Sequence, residues 1–311
     1  MRHYPRLAAA SQPKNCYFFM HDTVSKSFNW RGIAWSLLST LNFALMGVLI
    51  KACYQHFSFH SNELIFWRTM PAVIFLSVTA VIRRQNLRTR YLSKHLSRSL
   101  SGTISMMLFF YAVAQLPLAT ATTLSYTSSL SLALLSFIFL GEHIARLTIF
   151  ALLLGCAGVA VLLRPAFADG SSIGIVAALG SSLLAGWAYL QLRQMTEINE
   201  PAWRIVFYFS LVSMIGAALG ATLQGWHLPP LSTLPYLAGI AGSALIAQFA
   251  LTRAYAAGPK FTVAAMSYLT VAFSALLSAQ FFGETLNAPK IIGMIIIVFA
   301  GILTAYSGRK S

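Results

Sequence analysis

Charge is what this sequence has least of. Only 9% of the 311 residues are charged, and seven acids stand against 22 lysines and arginines. A soluble domain carries about 25% charged residues, so a water-facing surface cannot be built from this chain. Cysteine is also scarce. Cys16, Cys53 and Cys156 have no paired or metal-ligand spacing, which excludes a disulfide framework. The acids Asp22, Glu63, Glu142, Asp169, Glu197, Glu200 and Glu284 form no paired-carboxylate signature. The seven histidines lack the HExxH spacing of a zinc enzyme. No glycine-rich phosphate loop with a following lysine is present, which argues against an ATP-driven pump. No catalytic, metal or cofactor site is therefore expected, and the chain reads as a non-enzyme. The first 30 residues have no apolar core followed by a small-residue cleavage site, so no cleaved signal peptide is expected.

What fills the chain instead is apolar. The hydrophobic fraction is 57%, and mean hydropathy is +0.69. Runs near 20 residues with almost no charge recur along the whole length, the signature of membrane helices. They predict ten spans, at about 32–52, 61–82, 99–116, 118–140, 145–163, 173–195, 203–223, 235–256, 261–282 and 288–306. Helices are required because lipid offers no partner to an exposed backbone group. Alternating ten-residue strands, the mark of a membrane barrel, are absent.

The net charge of +15 suggests nucleic acid until its placement is considered. With the N-terminus inside, 18 basic residues fall on the cytoplasmic side, among them Arg83, Arg84, Arg88, Arg90, Lys94 and Arg98 of one loop. Only Lys51, Arg164 and Lys290 fall outside, and Arg68 lies within a span. That asymmetry is a positive-inside signal. It predicts cytoplasmic termini and contact with anionic lipid headgroups rather than nucleic acid.

The chain also repeats itself. Residues 112–142 align on 254–284 at a constant offset of 142, with 13 of 31 positions identical, including Pro117/Pro259, Tyr126/Tyr268, Gly141/Gly283 and Glu142/Glu284. If each copy belongs to a unit of five spans, the second unit enters the membrane upside down, the ground plan of alternating-access carriers. The domain reading is a tail at 1–31, a first repeat at 32–163, a linker at 164–172, an inverted repeat at 173–306 and a tail at 307–311. The fold class is all-α, with ten transmembrane helices around a central cavity. Gly216-x-x-x-Gly220 permits close helix approach, within the chain or across a weak homodimer.

Helical spacing sorts the polar residues onto faces. Trp187, Gln191 and Gln194 share one face, as do Gln248, Thr252 and Tyr255, and Tyr111 and Gln115. Asn42 lies with Ser39, and Tyr126 and Tyr268 precede serine- and threonine-rich stripes. Such faces either hydrogen-bond between helices, at about 1 kcal/mol each, or line a polar-aromatic cavity suited to an organic solute. Lys51, Glu63 and Arg68 fall toward the external half. They form an ion-pair cluster tying spans one and two, or a gating and anion-binding group. Gly141 and Gly283 suit left-handed helix caps. Glu142 and Glu284 follow them, favourably placed for the start of the next helix.

At FFYAVAQLPLATATTLSYTSSLSLALLSFIFLGE (109–142), FALTRAYAAGPKFTVAAMSYLTVAFSALLSAQFFGE (249–284) and FWRTMPA (66–72), the chain resembles the drug/metabolite transporter superfamily in its ten-helix EamA branch. The resemblance covers about 32–306. It implies an inner-membrane carrier of small organic solutes, with a cavity between two inverted halves. Characterised relatives include amino-acid and metabolite exporters and uptake carriers for nucleotide-like metabolites. Many relatives carry proline in the fourth helix, where this chain has Tyr126, Thr127, Ser128 and Ser129. The resemblance therefore does not carry the fourth-helix kink over to this chain, and spans four and nine are read as the unbroken apolar runs 118–140 and 261–282. The expected activity is secondary transport of a small metabolite, first an exported amino acid or related compound, otherwise an imported nucleotide-like solute such as S-adenosylmethionine.

Overall fold

The computed structural model describes residues 30–57, 59–116, 118–163, 171–227, 229–283 and 285–307. The N-terminal tail, Pro117, most of the linker, Glu284 and the C-terminal tail lie outside them. The described residues are helical almost throughout: α1 Trp30–His56, α2 Ser61–Ile82, α3 Leu92–Gln115, α4 Leu118–Tyr126, α5 Ser128–Leu140, α6 Arg146–Leu163, α7 Ser172–Glu197, α8 Ala202–Gln224, α9 Leu234–Ala257, α10 Lys260–Met266, α11 Leu269–Phe282 and α12 Ala288–Ser307. Among the described residues, nine helical spans are long and apolar enough to cross a membrane. The helix outside that count is α3, whose first turns carry Lys94, His95 and Arg98.

Two expected spans are each broken in the middle. Thr127 separates α4 from α5, and Ser267 and Tyr268 separate α10 from α11. No proline or glycine does this. The Thr127 amide donates to Leu124 O, and the Ser267 and Tyr268 amides to Ala264 O and Ala265 O, all three residues back. These tightened turns interrupt the α-helical ladder. Hydroxyls then capture the main-chain oxygens: Thr127 Oγ1 donates to Leu124 O at 2.6 Å, and Ser267 Oγ to Ala264 O at 2.6 Å. Side-chain bonds of this kind compete with helix propagation, which is the physical reason the expected single helices break.

Packing repeats at the offset seen in the sequence. Gly32 of α1 lies against Gly258 at the end of α9, Ser39 Oγ donates to Ala247 O at 3.0 Å, and Leu49 touches Gly239. With the halves exchanged, α7 meets α3 through Gly174 and Leu116, Ser181 and Ser105, and Gln191 and Ser97. Adding 142 to each α1 residue and subtracting it from each α9 partner turns the first set into the second. Likewise α6 and α12, repeat equivalents of each other, run antiparallel. Thr148 pairs with Ser307, Gly155 with Ala300, Gly158 with Ile297 and Leu162 with Gly293. In the same way α2 passes α8, with Asn62 beside Gly220 and Leu76 beside Val206 and Phe207. Gly220 is thereby filled from within the chain, and Gly216 faces Met107 and Thr103.

The polar ends are tied by specific bonds. At the basic end, Lys260 Nζ lies 2.6 Å from Glu142 Oε2. Arg193 donates to Tyr255 O at 2.5 Å, and Arg204 to Asn86 O at 2.8 Å. Gly141 and Gly283 take φ of 62° and 65°, the left-handed region that glycine enters at low cost. They close α5 and α11. Glu142, however, precedes α6 by several residues and bridges to Lys260 at the start of α10 rather than capping the next helix. Glu284 is outside the described residues.

Candidate substrate site and its surroundings

The two helix breaks meet. Tyr126 at the end of α4 and Tyr268 before α11 are equivalents in the repeat, and their rings lie 6.2 Å apart. Tyr126 bonds to the Thr270 hydroxyl. Tyr268 bonds to Ser129 and donates to Leu152 O at 3.2 Å. Ser129 Oγ also donates to Ala264 O at 2.8 Å, so a hydroxyl of one half joins Ser267 on the carbonyl at the break in the other. Tyr268 packs flat against α6 because Gly155 leaves the room. A Cβ there would stand 2.5 Å from the ring.

A second aromatic pair lies beside the first. Tyr189 stacks on Tyr255, with centroids 5.8 Å apart and planes 20° from parallel. Trp187 meets Phe139 edge-on at 5.0 Å and packs on the same core, formed by Leu132, Leu190, Tyr255 and Val263. Thr252 is buried and bonds its own helix at Gln248 O. Thus Tyr255, with half-buried Trp187 against it, belongs to one core cluster, and Tyr268, with half-buried Tyr126 against it, to a neighbouring one, while Thr252 is buried on α9.

The other sequence-predicted residues fall elsewhere. Tyr111 is 47% exposed, on the α3 face shared with exposed Leu100 and Ile104, and Gln115 is exposed beyond it. Asn42 turns its amide back to Leu38 O at 2.8 Å. Gln248 is half-buried on α9. Gln191 donates to Ser97 Oγ at 2.7 Å and lines a recess of about 270 Å³ with Ser93, Lys94, Ser97 and Gln194. Its Oε1 is buried with no partner.

Lys51, Glu63 and Arg68 do not form the expected ion-pair cluster. Lys51 stands over the Phe282 ring at 4.6 Å. The Glu63 carboxylate accepts the amides of His227, at 2.5 Å, and His60, at 3.1 Å. Arg68 points to Met106 Sδ at 3.1 Å, with its Nε unpartnered. The three side chains share a region of sequence, but α2 rotates Arg68 away from Glu63 and toward α3.

Sequence reasoning missed Arg98. Counted as a loop cation, it is a residue of α3, and only 4% of it is exposed. The guanidinium lies over the Phe209 ring at 4.5 Å, within electrostatic reach of Tyr189 and Tyr255, and Nε has no partner. No carboxylate pairs with it among the described residues. An amphipathic start to α3, with Lys94 and Arg98 one turn apart, was the available signal. Nearby, His95 Nε2 lies 2.9 Å from Glu200 Oε1, which also takes Arg204 at 2.9 Å. Burial raises the Glu200 pKa, but hydrogen bonds from His95, Arg204 and Thr89 outweigh it and hold the carboxyl below its usual range.

A polytopic helical bundle with a duplicated half, two broken helices that meet at Tyr126 and Tyr268, and a buried Arg98 with no carboxylate partner among the described residues fits a membrane transporter for small solutes. Comparison with known proteins makes the class definite. The sequence model of the EamA-like transporter family matches residues 30–164 and again 172–306, and the chain belongs to that family, within the drug/metabolite transporter superfamily. It is 28% identical over 279 residues to the pseudopaline exporter CntI of Pseudomonas aeruginosa, covering 87% of this chain and 94% of that one. It is 25% identical to the S-adenosylmethionine uptake transporter of Rickettsia prowazekii, over 94% and 97% of the two chains. A riboflavin transporter of Rhizobium johnstonii is 27% identical over 87% and 89%. A solved crystal structure superposes with a TM-score of 0.75 at 18% identity, over 90% of this chain and 98% of its own, which supports the fold.

Proposed function

We propose that this protein is a secondary transporter of the bacterial inner membrane that exports a small carboxylate-bearing metabolite, an amino acid or related compound, by alternating access. The reading takes ten spans, five in each half, with the halves inverted, a central site between them and both termini in the cytoplasm. The odd repeat and the antiparallel pairing of α6 with α12 support the inversion. The α3 helix runs beside α7 from Ser97 to Leu116, long enough to be the tenth span. The cytoplasmic assignment of the basic end follows the positive-inside rule.

The observation that carries the reading is the meeting of the broken helices at Tyr126 and Tyr268, beside an aromatic region that reaches the buried Arg98. Discontinuous helices at a repeat interface are where carriers of this plan hold their solutes. A guanidinium grips a carboxylate through two parallel bonds, and stacked tyrosines suit an organic body. Arg98 is the proposed anchor, and Gln191 with the recess at Lys94 forms the approach from the cytoplasm. In this reading Tyr126, Trp187, Thr252, Tyr255 and Tyr268 line the path. Lys51, Glu63 and Arg68 belong to the outer half, with Arg68 a gating group.

The test is metabolite content inside and outside cells that lack or overproduce the protein, followed by flux of the implicated solute in proteoliposomes. Export predicts intracellular accumulation of a carboxylate-bearing metabolite on deletion. Uptake of a nucleotide-like solute is the second reading, favoured by the near-parallel Tyr189 and Tyr255 rings and by the relatives from Rickettsia. Accumulation of labelled solute by intact producing cells would select it.

A further inference from the structure

At the end away from the basic loops, three ligand-type side chains from distant parts of the sequence come together. Glu63 sits in the first turn of α2 and is fully buried. His60 immediately precedes that helix, and His227 lies in the connection between α8 and α9, 164 residues from Glu63. Glu63 Oε1 lies 3.2 Å from His227 Nδ1, and Oε2 lies 3.9 Å from His60 Nδ1. The imidazoles face each other at 5.0 Å, with 45% and 56% of their side chains exposed. One nitrogen of each ring and one carboxylate oxygen all lie within 4.8 Å of one another.

We infer that His60, Glu63 and His227 form a binding site for a divalent transition-metal ion of the zinc class. Two imidazoles and one carboxylate are the three-ligand set of open zinc sites, and imidazole favours zinc, copper and nickel over magnesium or calcium. Bonds of about 2.0–2.1 Å place tetrahedral ligands about 3.3 Å apart. Reaching that spacing requires only rotation of two exposed rings. The carboxylate is already fixed. The His60 and His227 amides hold it in place, as outer-shell hydrogen bonds do for metal ligands. The sequence concealed this site, because its third member is remote and only folding delivers it. The expectation of no metal site rested on local spacing alone. The fourth tetrahedral position stays open to water or to an anionic group of a solute. A bound ion would clamp α2 to the α8–α9 connection, joining parts of the chain from either side of the linker.

The experiment uses the full chain, purified in detergent, stripped with chelator and titrated with Zn2+. Bound metal is counted after desalting, and Co2+ absorption serves as a report of ligand geometry. One tight equivalent, a tetrahedral Co2+ spectrum and a zinc-dependent rise in melting temperature are expected. His60→Ala and His227→Ala each weaken binding at least tenfold, while His56→Ala, at the same end, leaves it unchanged. Because both rings are exposed, the metal-free melting temperature of the two site variants stays near that of the parent, which separates lost ligation from lost folding. Zinc bound equally tightly by the double variant, or no equivalent retained by the parent protein, would overturn the assignment.

Discussion

Arg98 shows how one residue changes meaning when its helix extends. In sequence it closes a basic run and counts toward orientation. In the fold it is buried under Phe209 with an unpartnered Nε. A buried cation lacking a carboxylate is costly, and a carrier can recover that cost by binding an anion. Arg98→Gln should reduce proteoliposome flux at least tenfold while the purified protein remains folded. Arg98→Lys should recover only part, because an ammonium lacks the planar fork of the guanidinium. A variant with full flux removes Arg98 from the path. Tyr126→Phe and Tyr126→Ala separate two contributions of the ring. If stacking dominates, phenylalanine keeps most of the flux and alanine loses it, read as KM against the maximal rate. The polar stripes on α7 and α9 were legible from spacing alone. Which rings they would meet was not, because Tyr189 contacts Tyr255 only after two helices from the second half pack together.

The elements were more legible than their interruptions. Apolar length located the spans, yet nothing in Tyr126-Thr127-Ser128-Ser129 announces a break as a proline would. The hydroxyls that draw off main-chain oxygens look, in sequence, like ordinary packing serines. The α3 helix was foreshortened for the opposite reason. Its charged first turns read as loop, although burial of His95 and Arg98 against α7 and α8 extends it back to Leu92. Close packing sets a sharp test at α6. Gly155→Leu places a side chain where the Tyr268 ring lies. It should cost about 1–3 kcal/mol by overpacking, seen as a lower melting temperature. The antiparallel register of α6 and α12 predicts an efficient cross-link when Thr148 and Ser307, whose hydroxyls are 2.7 Å apart, are both replaced by cysteine. Pairing Thr148→Cys with a cysteine at Lys290 should give none, and the reverse result would require a parallel arrangement.

The molecule as a whole is fastened at its basic end by a small charged network around Glu200. This carboxyl has a lowered folded-state pKa, so its contribution is present above the unfolded value near 4.5 and fades as pH falls through the folded value. Melting temperature measured in detergent should therefore hold at neutral pH and decline below about 4.5. Glu200→Gln should start lower and decline less. Removing the carboxylate altogether, as in Glu200→Ala, leaves Arg204 and His95 without their partner and should cost about 3 kcal/mol at pH 7.

The duplicated contacts carry a consequence for motion. Each pairing between α1 and α9 has a counterpart between α7 and α3, but the two are chemically unequal: two glycines touch at Gly32 and Gly258, whereas Gly174 meets the larger Leu116. Giving each half the backbone shape of its twin would keep the chain's connectivity while exchanging the tight crossing for the loose one. On the alternating-access reading proposed above, that exchange describes the opposite-facing conformer, and spin labels flanking the two crossings should report distances that trade places during turnover.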